Sequence, residues 1–313
     1  MKKVVNVPTM RLARKIKRKL MVATRRSRTA QVEPGRSDYG NGNRVINPPK
    51  LDKTKITFKG TNNILFFEAP DTILSHSSIT FEGSNAVVYI SKHYITYRKH
   101  RYKIYAQADT TVFIGKDVNF HLGSDSMAYI AASEGSNVVI GDDCLFSLNL
   151  WIRTSDGHAA YDSVTKRRIN PAGSVFIGDH VWIGQDVTVL KGSRIGSGCI
   201  IGAGSIVTGK TIGSNCSCAG TPARVLKHGV FFDKPNINRF SGKQLEEIEK
   251  CDRDDWIYNA DKTTLSMDNI DKTLRSLSTS SEKLAYIKEH LTEEGLRNRF
   301  FIAHIDNKDS KLK

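Results

Sequence analysis

The chain has 313 residues, 39% of them hydrophobic, and a formal net charge of +15. That length holds one elongated domain with appendages, and no window reads as a transmembrane span or a secretory core, because Lys and Arg interrupt the first thirty residues throughout. The charge is lopsided: residues 1–50 hold fourteen of the 47 Lys and Arg but two of the 32 acids, so the basic character belongs to a tail and the remainder is near balance. No nucleic-acid partner is expected.

Residues 8–28 can form a helix with Leu12, Ile16 and Leu20 on one stripe, surrounded by Arg11, Arg14, Lys15, Lys17, Arg18 and Lys19. A basic amphipathic segment of this kind, taken over residues 1–30, can lie on an anionic membrane face or hold a polyanion; a solvated arm is the plain alternative. Residues 31–50, with Pro34-Gly35, Gly40-Asn41-Gly42 and Pro48-Pro49, read as a linker. From Thr54 the chain repeats itself. Ile56-Thr57-Phe58-Lys59-Gly60-Thr61-Asn62 returns as Ile79-Thr80-Phe81-Glu82-Gly83-Ser84-Asn85, and Glu134-Gly135-Ser136-Asn137 echoes the end of that unit. Each copy precedes an apolar strand, which marks them as early, irregular coils of a solenoid.

The repeat becomes regular further on. From Ile177 to Cys216 an aliphatic residue returns every six positions: Ile177, Ile183, Val189, Ile195, Ile201, Val207 and, after a one-residue slip, Ile212. Four residues after each sits a small or β-branched side chain: Val181, Val187, Ser193, Cys199, Ser205, Thr211 and Cys216. A period of six fits neither a lone helix nor a lone strand, but it fits a parallel β-helix in which each hexad is one flat side of a coil. The expected class is mainly β: a parallel β-helix solenoid over residues 51–232, between a basic segment and linker at 1–50 and a helical appendage at 233–313. In the appendage, Ser241 can cap a helix through Cys251, and Leu284, Ile287 and Leu291 stand at helical spacing in Ser280–Leu291, a segment that could cap the open end of the column or help assembly.

Arg153–Ser174 breaks the hexads with His158, Tyr161, Asp162 and the run Lys166-Arg167-Arg168. An insertion between regular coils must leave the column, and such excursions are usual places for function. Of the five cysteines, Cys144, Cys199 and Cys216 occupy inward positions, where packing is the expected role. Cys216-Ser217-Cys218 is too short for a zinc knuckle and no metal is expected.

The hexads, together with Ser155-Asp156-Gly157-His158, Val181-Trp182-Ile183-Gly184 and the closing Gly220-Thr221-Pro222-Ala223-Arg224-Val225-Leu226, resemble the hexapeptide-repeat acyltransferases. Within that family the arrangement is most similar to the capsule and polysialic acid O-acetyltransferases of bacteria. The resemblance implies a left-handed β-helix, a sense that hexad counting alone does not give, since general chain chirality favours right-handed crossovers. It implies acetyl-CoA as cosubstrate, a homotrimer with the acyl site between adjacent columns, a polysaccharide or oligosaccharide acceptor, and work in the bacterial cytoplasm, peripheral at the inner membrane.

His158 matches the family's catalytic histidine. Neutral imidazole can take the proton from a sugar hydroxyl during attack and return it to the CoA thiolate. Asp156 or Asp162 could fix its tautomer or simply cap the loop. Trp182 faces outward in the hexad, and the resemblance implies an active-site role for it, against packing between subunits as the structural alternative. Gly202-Ala203-Gly204-Ser205 leaves a coil side bare enough for a pantetheine arm, although corners need small residues anyway. Lys210, Arg224 and Lys227 follow where family members contact CoA phosphates. Tyr161, Lys166, Arg167 and Arg168 are the acceptor candidates. Three other readings stay open: the same enzyme class acting on a small acceptor (a sugar monomer, an amino acid or an antibiotic), a zinc carbonic anhydrase for which His158 and His180 lack partner spacing, and a silent glycan-binding scaffold.

Overall fold

The computed structural model describes residues 28–30, 36–48, 50–69, 73–93, 101–120, 127–293 and 295–304. The predicted amphipathic helix over residues 8–28 lies almost wholly outside them.

The described chain winds into a three-sided column of parallel strands. One side runs through Lys55–Phe58, Ser78–Phe81, Tyr102–Ala106, Ala128–Ala132, Leu150–Arg153, Thr188–Val189 and Ile206–Val207. A second runs through Arg44–Ile46, Ile64–Phe67, Val87–Ile90, Thr111–Ile114, Asn137–Ile140, Val175–Ile177, Arg194–Ile195 and Thr211–Ile212. The third includes Leu145–Phe146, Trp182–Ile183, Ile200–Ile201 and Cys216–Gly220, and is finished by the antiparallel strand Ala223–His228.

The inward positions follow the hexads. Ile177, Ile183, Val189, Ile195, Ile201, Val207 and Ile212 are all buried and stack into one core with residues from the early coils. Three hexads close a turn, so Trp182 lies beside Ile200 and Thr188 beside Ile206. At the slip the pattern bends: Thr211 is exposed and pairs with Arg194, while Ile212 takes the inward place. The early repeat is in register, with Ile56, Thr57 and Phe58 paired to Ile79, Thr80 and Phe81. The boundary at residue 50 moves, because Arg44–Ile46 already pairs with Ile64–Phe66 within the segment expected to be linker.

The appendage forms helices at Gly242–Glu247, Met267–Ser276 and Ser280–His290. The first stops short of Cys251, and the second, capped by Ser266 and burying Met267, Ile270 and Leu274, was not foreseen. The third starts in a reciprocal cap between Thr279 and Glu282. Instead of capping the end of the column, the last two lie along its second side. Met267, Ile270, Leu274, Leu284 and Ile287 cover the outward residues Ile64, Phe66, Tyr89, Phe113 and Phe176. Arg299, 2% exposed, pins this cover: its guanidinium meets Asp179 at 2.7 Å and Asp142 at 2.9 Å, and donates to the Leu291 carbonyl. Among the described residues no helix is long and apolar enough to cross a membrane.

Candidate active site

The chain leaves the column between Thr154 and Gly173, and a hydrogen bond from the Gly173 amide to the Thr154 carbonyl (3.0 Å) ties the neck. Beyond it the segment folds back on itself. The Asp162 amide donates to the Arg167 carbonyl, Ile169 to Ala160, and Tyr161 faces Arg168 across a bridge. Asp162 holds the tip: its Oδ1 accepts from the Thr165 amide (2.6 Å), the Thr165 hydroxyl (2.8 Å) and the Val164 amide (3.1 Å). Those bonds, the Thr165 amide foremost, lower its pKa. Its geometry is that of the loop cap, and no bond joins it to His158.

His158 is exposed on the near limb of this hairpin. Asn170 holds it from across the loop: Nδ2 donates to the His158 carbonyl at 2.8 Å and to Asp156 Oδ2 at 2.8 Å, while Oδ1 accepts from the Ala160 amide at 2.7 Å. Asp156 also meets Lys191 of the next coil at 2.5 Å, and that bond is the main reason its pKa is lowered. Among the described residues neither carboxylate bonds to the His158 ring, so both act on the loop that carries it.

Arg168 has a structural partner where a free acceptor contact was expected. It grips Glu134 with both terminal nitrogens, at 2.7 and 3.0 Å, and reaches the Asn170 carbonyl at 3.1 Å. Arg168, then the Ser155 hydroxyl, hold Glu134 down at about 2. Tyr161, Lys166 and Arg167 remain exposed at the tip.

The first side of the column leads to this loop. Leu150–Arg153 ends three residues before Asp156, and its outward Trp151 stacks on Tyr129 with centroids 4.2 Å apart and planes 6° from parallel. Lys103 lies over Tyr129 at 5.6 Å and over Tyr105 at 5.8 Å. Trp151 and Tyr105 are 44% and 38% exposed, so this ladder of rings and cation is open to solvent. Sequence reasoning missed it, because Tyr105, Tyr129 and Trp151 come from three coils whose spacing is irregular. Asn170 and Lys191 were missed too, and no local pattern marks them.

Trp182 stands on the third side, 39% exposed, with Phe232 tilted against it at 5.7 Å. The two help line a cavity of about 220 Å³ with Leu145, Ser147, Lys234 and Ile237. Phe232 is fixed by His180, which is fully buried and stacked between Phe232 (4.1 Å) and Trp256 (3.6 Å), with ring nitrogens at 2.7 Å from Asp143 and 3.0 Å from the Phe232 carbonyl. His180 is thus enclosed and positions the wall behind Trp182. Within one chain no contact joins Trp182 to His158 among the described residues.

The same side continues to the bare coil. Ala203 and Gly204 are exposed, and Gly204 has a positive φ of 68° with open space where a Cβ would be. Gly202 is tighter, since a Cβ there would meet Ala219 at 3.0 Å. Ser205 is turned inward: its hydroxyl donates to the Gly202 carbonyl at 2.6 Å and accepts from the Gly220 amide at 3.1 Å, which makes it a corner brace. Lys210, Arg224 and Lys227 are exposed, with Arg224 reaching back to the Ala223 carbonyl at 3.0 Å.

Comparison with known proteins agrees with this architecture. Residues 174–209 match the family described as bacterial transferase hexapeptide (six repeats). A polysialic acid O-acetyltransferase of Escherichia coli O1:K1 is 34% identical over 129 residues, 41% of this chain and 40% of that protein. A galactoside O-acetyltransferase of Lactococcus lactis is 33% identical over 145 residues, 46% of this chain and 65% of that protein. The chain therefore spans less than two thirds of the length of these two curated relatives. The crystal structure of the polySia specific acetyltransferase NeuO aligns with 30% identity and a TM-score of 0.54, over 66% of this chain and 93% of that one. With the three-sided column, the hexad core and this alignment together, the chain belongs to the hexapeptide-repeat acyltransferases and its column is their left-handed parallel β-helix.

Proposed function

We propose that this protein is an acetyl-CoA-dependent O-acetyltransferase acting on hydroxyls of a bacterial surface polysaccharide, with a sialic-acid-containing capsule as the leading acceptor. One observation carries the reading: an exposed histidine, held by its backbone on a braced hairpin, follows directly on the strand that carries Trp151, the last ring of an open ladder of aromatic rings and lysine. Rings present flat apolar faces of the kind a sugar can lie against, and Lys103, with the exposed Lys166 and Arg167 of the hairpin, suits an acceptor bearing carboxylates. Similarity to proteins named for polysialic acid points the same way.

In the reaction, the neutral His158 ring removes the proton of an acceptor hydroxyl as its oxygen bonds to the acyl carbon. The carbon–sulfur bond breaks, and the same proton passes from His158 to the departing sulfur. Acetyl-CoA supplies the activated acyl group. Ala203 and Gly204 fit an arm passing close to the backbone, and Lys210, Arg224 and Lys227 suit its phosphates; Ser205 is occupied inside the corner. Asn170, Asp156 and Lys191 act on the position of His158. Because His158 and Trp182 stand on different sides of one column, the complete site is proposed to form between protomers of a homotrimer. Residues 1–30 are proposed to hold the polyanion or the inner face of the bacterial membrane, so their removal should weaken polymer or vesicle binding at low salt while sparing short acceptors.

The small-acceptor reading is favoured by the galactoside relative. Labelled acetyl-CoA offered with polysialic acid, a short sialyl oligomer and a galactoside in competition separates the two. The proposal expects label in the sialic acid polymer; label confined to the galactoside selects the small acceptor, and label in none overturns both.

A further inference from the structure

The third side of the column ends where three pieces of chain meet. Cys216 opens the last strand of the coil, and the antiparallel return strand places His228 directly opposite it. Side chains of directly opposed residues project to the same face. The third piece is the segment after the helices. It lies along the corner of the last coils, with the Ser214 amide donating to the Ile302 carbonyl at 2.8 Å and the Ile302 amide to Ser214 Oγ at 3.0 Å. That track delivers His304 to the same point.

The three donor atoms converge. Cys216 Sγ is 3.3 Å from His228 Nδ1 and 3.4 Å from His304 Nδ1, and the two Nδ1 atoms are 2.6 Å apart. Among the described residues this is the one cluster of three Cys, His or acidic groups close enough to share an ion. Cys216 is buried, while both imidazoles are exposed, so the thiol forms the floor and the rings the open walls.

We propose that Cys216, His228 and His304 bind one divalent cation of the zinc class, with a fourth, solvent-facing position. One soft sulfur and two imidazole nitrogens are the donor set such an ion selects. Bond lengths of about 2.3 Å to sulfur and about 2.0–2.1 Å to nitrogen, set tetrahedrally, place the donors about 3.3–3.6 Å apart. The two sulfur–nitrogen separations are already near that, and the exposed rings need only swing apart. Binding releases the Cys216 proton and leaves both imidazoles neutral. The ion would clasp the C-terminal segment, and through Arg299 the helical cover, to the closing coil. This inference is independent of the acetyl-transfer reading, since its site lies at the end of the column and its test needs no turnover.

The test is cobalt titration of the full chain after chelator treatment. The proposal expects one equivalent of Co²⁺ to give a thiolate-to-cobalt charge-transfer band with tetrahedral ligand-field absorption, and Zn²⁺ to displace it and raise the melting temperature. Cys216→Ser should abolish the charge-transfer band, and Cys251→Ser, at an exposed thiol, should leave it. Should Cys216→Ser fail to fold, His228→Ala and His304→Ala at exposed positions decide. Each should weaken cobalt binding by about tenfold or more, a loss reached even by groups one step removed from a metal. Absence of the band in the wild type, its loss in Cys251→Ser, or unchanged affinity in both histidine variants overturns the assignment.

Discussion

Among the described residues, two sides of the column carry an outward aromatic stripe, and only one of them is covered. On the second side Phe66 stacks on Tyr89 at 4.6 Å and Tyr89 tilts against Phe113 at 5.5 Å, beneath leucines and isoleucines of two helices. On the first side Tyr129 and Trp151 stack as closely, yet lysine lies over the rings and solvent beyond. Both are faces of parallel strands, so the difference lies in what packs over the rings. A covered stripe adds core to the fold, whereas an open one contributes little to stability and, on the function proposed above, is where the acceptor lies.

The sharpest way to break this contrast is to cut matching residues from both stripes. Phe113→Ala should cost about 3–5 kcal/mol in urea denaturation, as for a buried ring. Arg299→Ala, which leaves Asp179 and Asp142 without their buried partner, should cost a comparable 3–5 kcal/mol or so. Trp151→Ala should cost only about 0.5–1.5 kcal/mol, the scale of one aromatic pair, while raising KM for a polymeric acceptor and leaving kcat on a short one. Equal destabilisation by Phe113→Ala and Trp151→Ala would erase the distinction between the faces.

The smallest effect concerns the brace of the hairpin that carries His158. Glu134 has its folded pKa lowered, so its contribution is present above the ordinary glutamate range and is lost as pH falls toward about 2. The pair is solvent-screened, and its effect on global stability is accordingly slight. Amide exchange in residues 155–170 should quicken over that window in the wild type and be fast throughout in Glu134→Gln. Identical protection in both proteins would remove the brace from the account.

Much of this was legible in residues alone. The hexads fixed the inward set, because a six-residue side repeats in contact with its own copy one turn later, and Ile56 meets Ile79 as the repeat implied. Arg153–Ser174 had to leave the column for the same reason. What escaped was long-range. The helices cover a side rather than an end because outward Phe66, Tyr89 and Phe113 needed a partner, and a repeat pattern read for its inward positions ignores the outward ones. Arg44–Ile46 hid behind Gly40 and Gly42, which serve the turn before it with positive φ. Arg168 looked free in a basic run because its partner Glu134 sits on the preceding coil. His304 gave no sign of Cys216, since only the folded track of the last segment joins them.

The proposed reaction needs the His158 ring, and the decisive comparison is transfer of labelled acetyl from acetyl-CoA to polysialic acid by wild type and His158→Ala at matched circular dichroism and oligomeric state. A loss of about 10²–10⁴-fold with the fold intact is the predicted result. An intact variant that acetylates the polymer at the wild-type rate excludes His158 as the base.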